Sequence, residues 1–342
     1  MMGFGGDLLW TPVLRALYAR NGKHVRLCDR PRLSDFLAGA SYDRASERHV
    51  SLVFRNNPFV NFPFCPGKGA VSRLLDRMGE SVIGFNRLRN RIESSLYAKT
   101  QQSGFQTLYL DLSQHSYVEK VEAGRYLWKP GGHIIDILAA SVGLPSVAHE
   151  CELFFTDNED VPAKALVASI GSDRFITIEP ATNAEFFGEL RSWPFERWQE
   201  VVNRIRVTYP MLAVVHLGMP GTRPLDGCVN MCGKTDFRQA AQLIRRSILF
   251  LGTEGGLMHC ANAVKTPALI LWGGLTHPGF AAYPEKHKVI HHQVSCAPCG
   301  FLGHCPNSRK CMLSIMPTEI VSELDKLLSQ LVPDLRRSQY DS

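Results

Sequence analysis

The run of residues 248–259 constrains the fold more than any other part of this sequence. An apolar stretch ends in Gly-Thr-Glu-Gly-Gly, a helix-forming segment follows, and a second apolar run lies at 267–272. This order predicts a strand, a helix and a second, parallel strand. Gly255 and Gly256 would leave backbone N–H groups open at the helix N-terminus, where a phosphate can bind. Glu254 ends the first strand, within reach of a ribose hydroxyl. The segment predicts a nucleotide site, although such a turn is common by itself.

The alternation of strands and helices continues along the chain and predicts parallel, doubly wound sheets. A length of 342 residues is sufficient for two domains, and the pattern restarts near residues 150–162. We expect further strands at 24–28, 49–54, 107–112, 175–179 and 211–216. We expect helices at 8–20, 73–102, 133–142, 195–207, 235–246 and 318–331.

Composition narrows the class of protein. A hydrophobic content of 45% with 20% charged residues is typical of a folded globular protein. No apolar run has the roughly 18 residues that a membrane-spanning helix needs. No charged, apolar leader is evident, so we expect the protein not to be secreted. The net charge of +6 favours anionic partners such as phosphates or an acidic membrane surface, whereas no basic run indicates nucleic-acid binding.

A glycine-rich turn, Gly-Phe-Gly-Gly-Asp, occupies residues 3–7. Leu8 stands where a dinucleotide-binding fingerprint needs its third glycine, which argues against an NAD site. Asp7 has two interpretations, a general base at the mouth of a helix or the N-cap of that helix. A doubly wound domain ordinarily has a strand before such a loop. We expect either that this sequence omits that strand or that the N-terminal sheet lacks it.

A second group of candidate ligands follows the strand expected at 175–179. Thr182 offers a hydroxyl and Arg191 a planar guanidinium that suits a diphosphate, with a surface ion pair as the alternative for Arg191. We interpret Trp193 and Trp198 as packing residues. His259, one turn into the Gly-Gly helix, either donates to a phosphate or packs against the sheet.

Four of the ten cysteines lie close together near the C-terminus. Cys296, Cys299, Cys305 and Cys311 have the spacing C-x2-C-x5-C-x5-C, which indicates one tetrahedral structural zinc or iron. The alternative is four free or transiently oxidised thiols, since only one CxxC pair is present. The other cysteines are expected to be reduced core residues.

Four segments, taken in order, resemble the heptosyltransferase family, family 9 of the glycosyltransferases. Residues 5–17 resemble its N-terminal Gly-Asp-x-x-x-x-x-Pro-x-Leu-x-Ala-Leu block, and residues 191–198 its Lys/Arg-x-Trp-Pro-x-x-x-Trp block. Residues 253–259 resemble its Asp-[Ser/Thr]-Gly-x-x-His block. The Cys-x-Pro-Cys…Cys-Pro…Cys-Met segment at 296–312 is similar to one in many members. The resemblance spans nearly the whole chain.

The resemblance implies a GT-B fold, in which two Rossmann-like, doubly wound domains face each other across a cleft. Residues 1–155 would form the acceptor-binding domain, and residues 156–332 the domain that binds the nucleotide sugar. The second domain would include the four-cysteine loop at 296–311, and residues 333–342 would be a flexible tail. The implied chemistry is an inverting displacement that uses no catalytic metal.

The resemblance also implies residue roles. Asp7 would deprotonate the acceptor hydroxyl, while Glu254 and His259 would hold the ribose and a phosphate. The diphosphate leaving group would be stabilised by Thr182, Arg191 and the backbone amides of Gly255 and Gly256, and Thr235 would contact the base. Glu254 replaces the family's usual Asp, and Gly255 its usual Ser or Thr.

The sequence thus predicts a cytoplasmic glycosyltransferase with peripheral contact to the inner membrane. It would transfer a heptose from an ADP-linked donor to a lipopolysaccharide or another surface glycan. Two alternatives stay open: a nucleotide-sugar epimerase, which needs no acceptor, and a non-catalytic nucleotide-binding or assembly protein. Retention of Asp7 and Arg191 favours an enzyme, whereas the altered Glu-Gly-Gly turn favours the non-catalytic alternative.

Overall fold

The computed structural model describes residues 4–28, 52–61, 106–109, 118–129, 132–181, 188–301 and 303–335. Its strands are β1 (Val25–Cys28), β2 (Val60–Asn61), β3 (Gln106–Tyr109), β4 (Val118–Glu122), β5 (Arg125–Trp128), β6 (Phe175–Glu179), β7 (Ala213–His216), β8 (Val229–Asn230), β9 (Phe250–Thr253), β10 (Ala268–Trp272) and β11 (His287–His291). Its α-helices are α1 (Phe4–Asn21), α2 (Ile134–Ser141), α3 (Asp157–Ala168), α4 (Gly188–Arg191), α5 (Phe195–Thr208), α6 (Phe237–Arg246), α7 (Gly256–Ala263), α8 (Lys310–Leu313) and α9 (Pro317–Leu331).

A six-stranded parallel sheet positions most of the candidate residues. Its strand order is β11-β10-β9-β6-β7-β8, and every adjacent pair is parallel. The strands predicted at 175–179, 211–216 and 267–272 are confirmed, and the last two begin at Ala213 and Ala268. Because β6 and β9 are neighbours, their carboxyl ends share one edge of the sheet, which is where α/β proteins bind ligands.

Side chains along β10 show how the sheet is covered on both faces. Ala268, Ile270 and Trp272 belong to an apolar cluster that also contains buried residues of α1, α2, α6 and α7. Leu269 and Leu271 point the other way, into a cluster built from α5 and α9. Burial on both faces explains why the strand reads as a continuous apolar run rather than an alternating one.

The start of α6 follows from its capping residues. The Asp236 carboxylate accepts a hydrogen bond from the Gln239 backbone N–H at 2.7 Å, and the Gln239 side chain accepts from the Asp236 N–H at 2.9 Å. This reciprocal capping satisfies two helix donors. The helix therefore begins at Phe237 rather than at the predicted residue 235, and ends as predicted at Arg246.

The N-terminal part differs from the prediction in two places. Helix α1 begins at Phe4, so residues 5–7 lie in its first turn instead of in a loop. The strand predicted at 49–54 is wrong over residues 52–54, which form turns. Val53 and Phe54 are nevertheless buried, and a short apolar run has the same appearance in a strand and in a buried turn. The predicted helix at 73–102 lies outside the described residues. Strands β2, β1 and β3 form a short parallel sheet in that order.

One antiparallel hairpin was absent from the sequence prediction. Strands β4 and β5 are joined at Ala123 and Gly124, which have φ angles of 48° and 73°. Two consecutive left-handed residues are typical of a type I′ hairpin turn. The Tyr126 N–H donates to the Gly300 carbonyl at 2.7 Å, so the hairpin is attached to the cysteine-rich loop.

The helices of the described ranges include none with the length and apolar character required to cross a bilayer.

Candidate nucleotide-binding site

The glycine turn after β9 lies where the N-termini of two helices meet. Gly255 is the N-cap of α7, which begins at Gly256. Gly5, in the first turn of α1, packs against it: a Cβ atom at Gly5 would lie 3.0 Å from Gly256 Cα and 3.1 Å from His259 Cδ2. The first N–H groups of each helix have no intrahelical acceptor, and the helix dipoles add positive potential there. Two such ends in contact form a suitable environment for a phosphate.

An ion pair stands beside this turn. Arg191, at the end of α4, places Nη2 3.4 Å from Oε1 of Glu254, which follows β9. Burial raises the pKa of Glu254, and the Arg191 charge acts in the opposite direction. The Thr276 hydroxyl lies 3.5 Å from the same Glu254 oxygen. The structure therefore brings Arg191 and Glu254, 63 positions apart in the chain, together at one sheet edge.

His259 is buried on α7 and bonded to Tyr283. Its Nδ1 lies 2.6 Å from the Tyr283 hydroxyl, which is also 3.2 Å from Cys151 Sγ. Burial, together with the neighbouring His133, Arg191 and His287, lowers the pKa of His259 to about 3. The imidazole is therefore uncharged at neutral pH. It contacts Gly5 through Cδ2, so it is both packed and directed at the glycine turn.

The remaining candidates lie in different surroundings. Asp7 is buried in the first turn of α1, two residues after Gly5. Thr182 falls outside the described residues. Thr235 is partly exposed and lies just before α6. In the first turn of α6, the ring of Phe237 stacks on the ring of Phe4 in α1, with 4.3 Å between the ring centroids.

The two tryptophans near Arg191 are packing residues, as predicted. Trp193 and Trp198 are buried, and their rings pack edge to face with 5.0 Å between the ring centroids. Trp193 donates its indole N–H to the Ile315 carbonyl at 3.1 Å. The two tryptophans pack α4 and the start of α5 against the C-terminal segment, and this packing holds the backbone of Arg191 in place.

The cysteine-rich loop does not form the predicted metal centre in this structure. Its backbone runs along residues 274–275, because the Cys299 N–H donates to the Gly274 carbonyl at 2.8 Å and the next residue bonds Leu275. Cys305 Sγ accepts from the Arg309 N–H at 3.3 Å, and Cys311 is buried beside Gly274. Cys296, Cys299, Cys305 and Cys311 are all free thiols.

Burial, together with the thiols of Cys296, Cys305 and Cys311, raises the pKa of Cys299. Across the described part of the chain, no three His, Cys, Asp or Glu side chains converge in a set that could hold a metal ion. The described residues therefore do not show the zinc or iron site that the cysteine spacing indicated.

The loop instead supports the segment that carries Arg191. Arg309 donates through Nη1 to the Ser192 carbonyl at 3.0 Å and lies 3.4 Å from the Glu189 carbonyl. Met312 packs against Gly273, beside the Leu190 carbonyl. This support, like the contact of Tyr283 with His259, was not predicted, because it links residues distant in sequence that carry no shared motif.

Comparison with known proteins relates part of the chain to one family. The model of glycosyltransferase family 9 (heptosyltransferase) matches residues 133–302. Lipopolysaccharide heptosyltransferase 3 of Escherichia coli strain K12 is 30% identical over 118 residues, which cover 34% of this chain and 33% of that protein. Lipooligosaccharide heptosyltransferase 2 of Campylobacter jejuni is 27% identical over 100 residues, 29% of this chain and 31% of that protein. The chain thus aligns with about a third of the length of these curated relatives.

Solved structures resemble the chain over nearly its whole length. A family 9 glycosyltransferase from Veillonella parvula has a TM-score of 0.65 and 15% identity, covering 96% of this chain and 95% of that one. The structure of E. coli ADP-heptose lps heptosyltransferase II has a TM-score of 0.57 and 17% identity, and the match covers 96% of this chain and 97% of that one. These likenesses confirm the predicted GT-B fold. The family match confirms the predicted resemblance to glycosyltransferase family 9, the heptosyltransferase family, over residues 133–302.

Proposed function

We propose that this protein is an inverting glycosyltransferase that transfers a heptose from ADP-heptose to a lipopolysaccharide or another surface glycan. The observation that carries the proposal is the contact between the N-termini of α1 and α7, with Arg191, Glu254 and His259 beside it. The E. coli relative is named a lipopolysaccharide heptosyltransferase and the similar solved structure an ADP-heptose enzyme, and these names supply the sugar and nucleotide.

The donor would bind through its charge pattern. The diphosphate would lie against the open backbone amides of Gly255 and Gly256. Arg191 would stabilise the negative charge that develops on this leaving group as the bond to the sugar breaks. Glu254 would accept from the ribose hydroxyls, and His259 would donate to a phosphate oxygen. We assign Thr182 to the same diphosphate and Thr235 to the base.

Asp7 would be the general base. It would take the proton of the acceptor hydroxyl as that oxygen attacks the anomeric carbon of the heptose. The bond from that carbon to the diphosphate breaks in the same step, so a single displacement inverts the configuration. The diphosphate leaves with the electron pair and is stabilised by the positive groups at the glycine turn.

The setting and domain roles are part of the same proposal. Residues 1–155 would bind the acceptor, residues 156–332 would bind the donor, and residues 333–342 would be a tail. We place the reaction in the cytoplasm, peripheral to the inner membrane, because the acceptor class is a glycolipid and the net charge is +6. A metal on the four-cysteine loop forms no part of the proposal, because the described residues do not provide a ligand set.

Nucleotide binding is the first test. Calorimetric titration with ADP, UDP, GDP and CDP should show micromolar binding of ADP and much weaker binding of the others. Arg191→Ala should weaken ADP binding by about 10-fold to 100-fold, since charged hydrogen bonds contribute about 1.5–3 kcal/mol. Binding of none of the four nucleotides would support the non-catalytic alternative instead.

Asp7→Ala separates chemistry from binding. Heptose transfer to a lipopolysaccharide acceptor should fall by about 100-fold or more, while ADP affinity changes less than about threefold. An equal loss of affinity and rate would contradict the base assignment. Turnover of the donor without any acceptor would indicate an epimerase.

A further inference from the structure

Tyr283 is a buried residue that the roles above do not use. It lies between the short 3-10 helix Pro278–Phe280 and β11, and only 3% of it is exposed. Its hydroxyl oxygen joins two side chains from distant parts of the sequence, His259 Nδ1 at 2.6 Å and Cys151 Sγ at 3.2 Å. The backbone N–H of Cys151 in turn donates to the side chain of Asn262 on α7 at 2.7 Å. Tyr283 is thus bonded to the helix that begins at the glycine turn and to a segment held against it.

The chemistry of the two groups indicates which atom carries each proton. A phenol hydroxyl is a stronger donor than the N–H of a neutral imidazole, and an imidazole nitrogen is a stronger acceptor than a phenol oxygen. We therefore assign Tyr283 as the donor to His259 Nδ1, which leaves the Tyr283 oxygen to accept from the Cys151 thiol. Burial favours the uncharged form of every member, because it raises the pKa of Cys151 to about 12, raises that of Tyr283 well above its usual value, and lowers that of His259.

The orientation of the imidazole determines where its own proton is directed. In a histidine ring, Nε2 is bonded directly to Cδ2, and Nδ1 lies on the opposite side of the ring from Cδ2. The Cδ2 side of His259 faces Gly5, 3.1 Å from the position of a Cβ there. With Nδ1 occupied as an acceptor, the proton of the neutral ring must be on Nε2. That N–H is on the side of the ring nearer the glycine turn.

We propose that Tyr283 is a positioning residue that holds His259 in the tautomer protonated on Nε2, so that an uncharged imidazole donates to an anionic oxygen at the glycine turn. The inference rests on the proposed function only for the identity of that anion, a phosphate of a nucleoside diphosphate. The tautomer itself is a property of the protein without nucleotide. A hydrogen bond that orients one ring nitrogen and fixes the proton on the other is a common device where histidine acts on a ligand.

The other ionisable groups around Tyr283 leave this arrangement undisturbed. The rings of His133 and His287 lie 5.6 Å and 5.5 Å from the Tyr283 ring. Burial lowers the pKa of each to about 4, so both are uncharged at neutral pH. Tyr283 thus faces two neutral imidazoles besides its two hydrogen-bond partners.

The decisive measurement is the ¹⁵N spectrum of histidine-labelled protein without nucleotide, with His259 assigned by comparison with His259→Gln. The wild-type ring should show a protonated Nε2 and an unprotonated Nδ1 from pH 5 to pH 8. In Tyr283→Phe, which keeps the ring and removes the hydroxyl, the two nitrogens should show the averaged signals of mixed tautomers. The matched control is Tyr209→Phe, since Tyr209 is also buried and donates its hydroxyl to Asp325, on the α5–α9 side of the sheet.

Calorimetry with ADP then tests the consequence for binding. Tyr283→Phe should weaken ADP binding by about tenfold, the effect of one misdirected hydrogen bond, whereas Tyr209→Phe should leave it unchanged. A wild-type His259 protonated on Nδ1 would overturn the assignment, and so would a tautomer that Tyr283→Phe does not alter. If the tautomer behaves as stated but wild-type protein binds no ADP, the assignment of Tyr283 stands and the proposed function is the part that fails.

Discussion

Arg191 and Glu254 show how a single residue can affect both stability and binding. Glu254 is nearly inaccessible, and Arg191 Nη2 lies 3.4 Å from it. Removal of one member of a largely buried ion pair leaves an uncompensated charge, which is more damaging than loss of the pair as a unit. A fall in nucleotide affinity in Arg191→Ala therefore has two explanations, a lost contact with the diphosphate and a disturbed Glu254.

A double variant separates these explanations. Arg191→Ala alone should lower the free energy of unfolding by about 1–3 kcal/mol, because the buried Glu254 loses its cation. Adding Glu254→Gln removes the unpaired charge and should restore most of that loss in urea denaturation, while ADP binding stays weak. If affinity recovers together with stability, Arg191 acts only through Glu254 and does not bind the diphosphate.

At the level of elements, the four-cysteine loop and α4 together support the site. Arg309 joins them through the carbonyls of Ser192 and Glu189, immediately around Arg191. The indole of Trp193 is fixed to the Ile315 carbonyl on the other side. The position of the Arg191 backbone is thus set by contacts from residues more than 110 positions later in the chain.

Arg309→Met tests this support. The substitution keeps the length of the side chain but removes its donors, so α4 should move more freely. ADP affinity should fall by about threefold to tenfold, as expected for the loss of one or two hydrogen bonds that act indirectly. Lys310→Met is the matched control, because Lys310 is exposed and its Nζ bonds the Ser295 hydroxyl at 3.4 Å, away from the Arg309 contacts. Equal effects of the two substitutions in calorimetry would contradict a specific role for Arg309.

Elements encoded by local patterns were predictable, and those that depend on distant partners were not. The β9–α7–β10 unit follows from contiguous apolar runs and two glycines, and the structure places it nearly as predicted. Arg191 and Glu254 were both predicted because each lies in a recognisable block. Tyr283 was not, because its value comes from a bond to His259 that a sequence pattern does not encode.

The errors have similar physical causes. The strands of the hairpin β4–β5, Val-Glu-Lys-Val-Glu and Arg-Tyr-Leu-Trp, have no strict alternation of apolar and polar residues. The hairpin is stabilised partly by its bond to Gly300. The cysteine spacing indicated a metal site, but spacing does not specify how a loop is folded. Here the backbone of the loop follows residues 274–275. Thr182 and the helix predicted at 73–102 lie outside the described residues and remain predictions.

For the whole molecule, buried ionisable groups determine how stability depends on pH. Burial lowers the pKa of His133, His216 and His287 to about 4, and that of His259 to about 3. Unfolding returns each toward its ordinary value of 6.5, so the unfolded chain binds more protons below that pH. Glu179 has the opposite effect, since burial raises its pKa to about 8, and so does Glu254, whose pKa is also raised.

The expected result is a loss of stability as the pH falls from about 6.5 toward 4. Four histidines favour unfolding in this window while the two glutamates partly offset them, and each uncompensated proton changes the free energy of unfolding by about 1.4 kcal/mol per pH unit. Thermal unfolding between pH 7 and pH 4.5 measures the slope. His287→Phe removes one histidine and should flatten that slope by about one proton; an unchanged slope would contradict the buried, uncharged state of His287.

The apolar cluster shared by α1 and the six-stranded sheet has a consequence for where the chain can be cut. Buried side chains of α1, such as Leu8 and Leu14, pack in the same cluster as Trp272 and Met258. The family match begins only at residue 133. A fragment starting there would leave that side of the sheet uncovered and prone to aggregation. The segment defined by sequence similarity is therefore smaller than the unit that folds cooperatively, and truncations meant to isolate the donor site must retain α1.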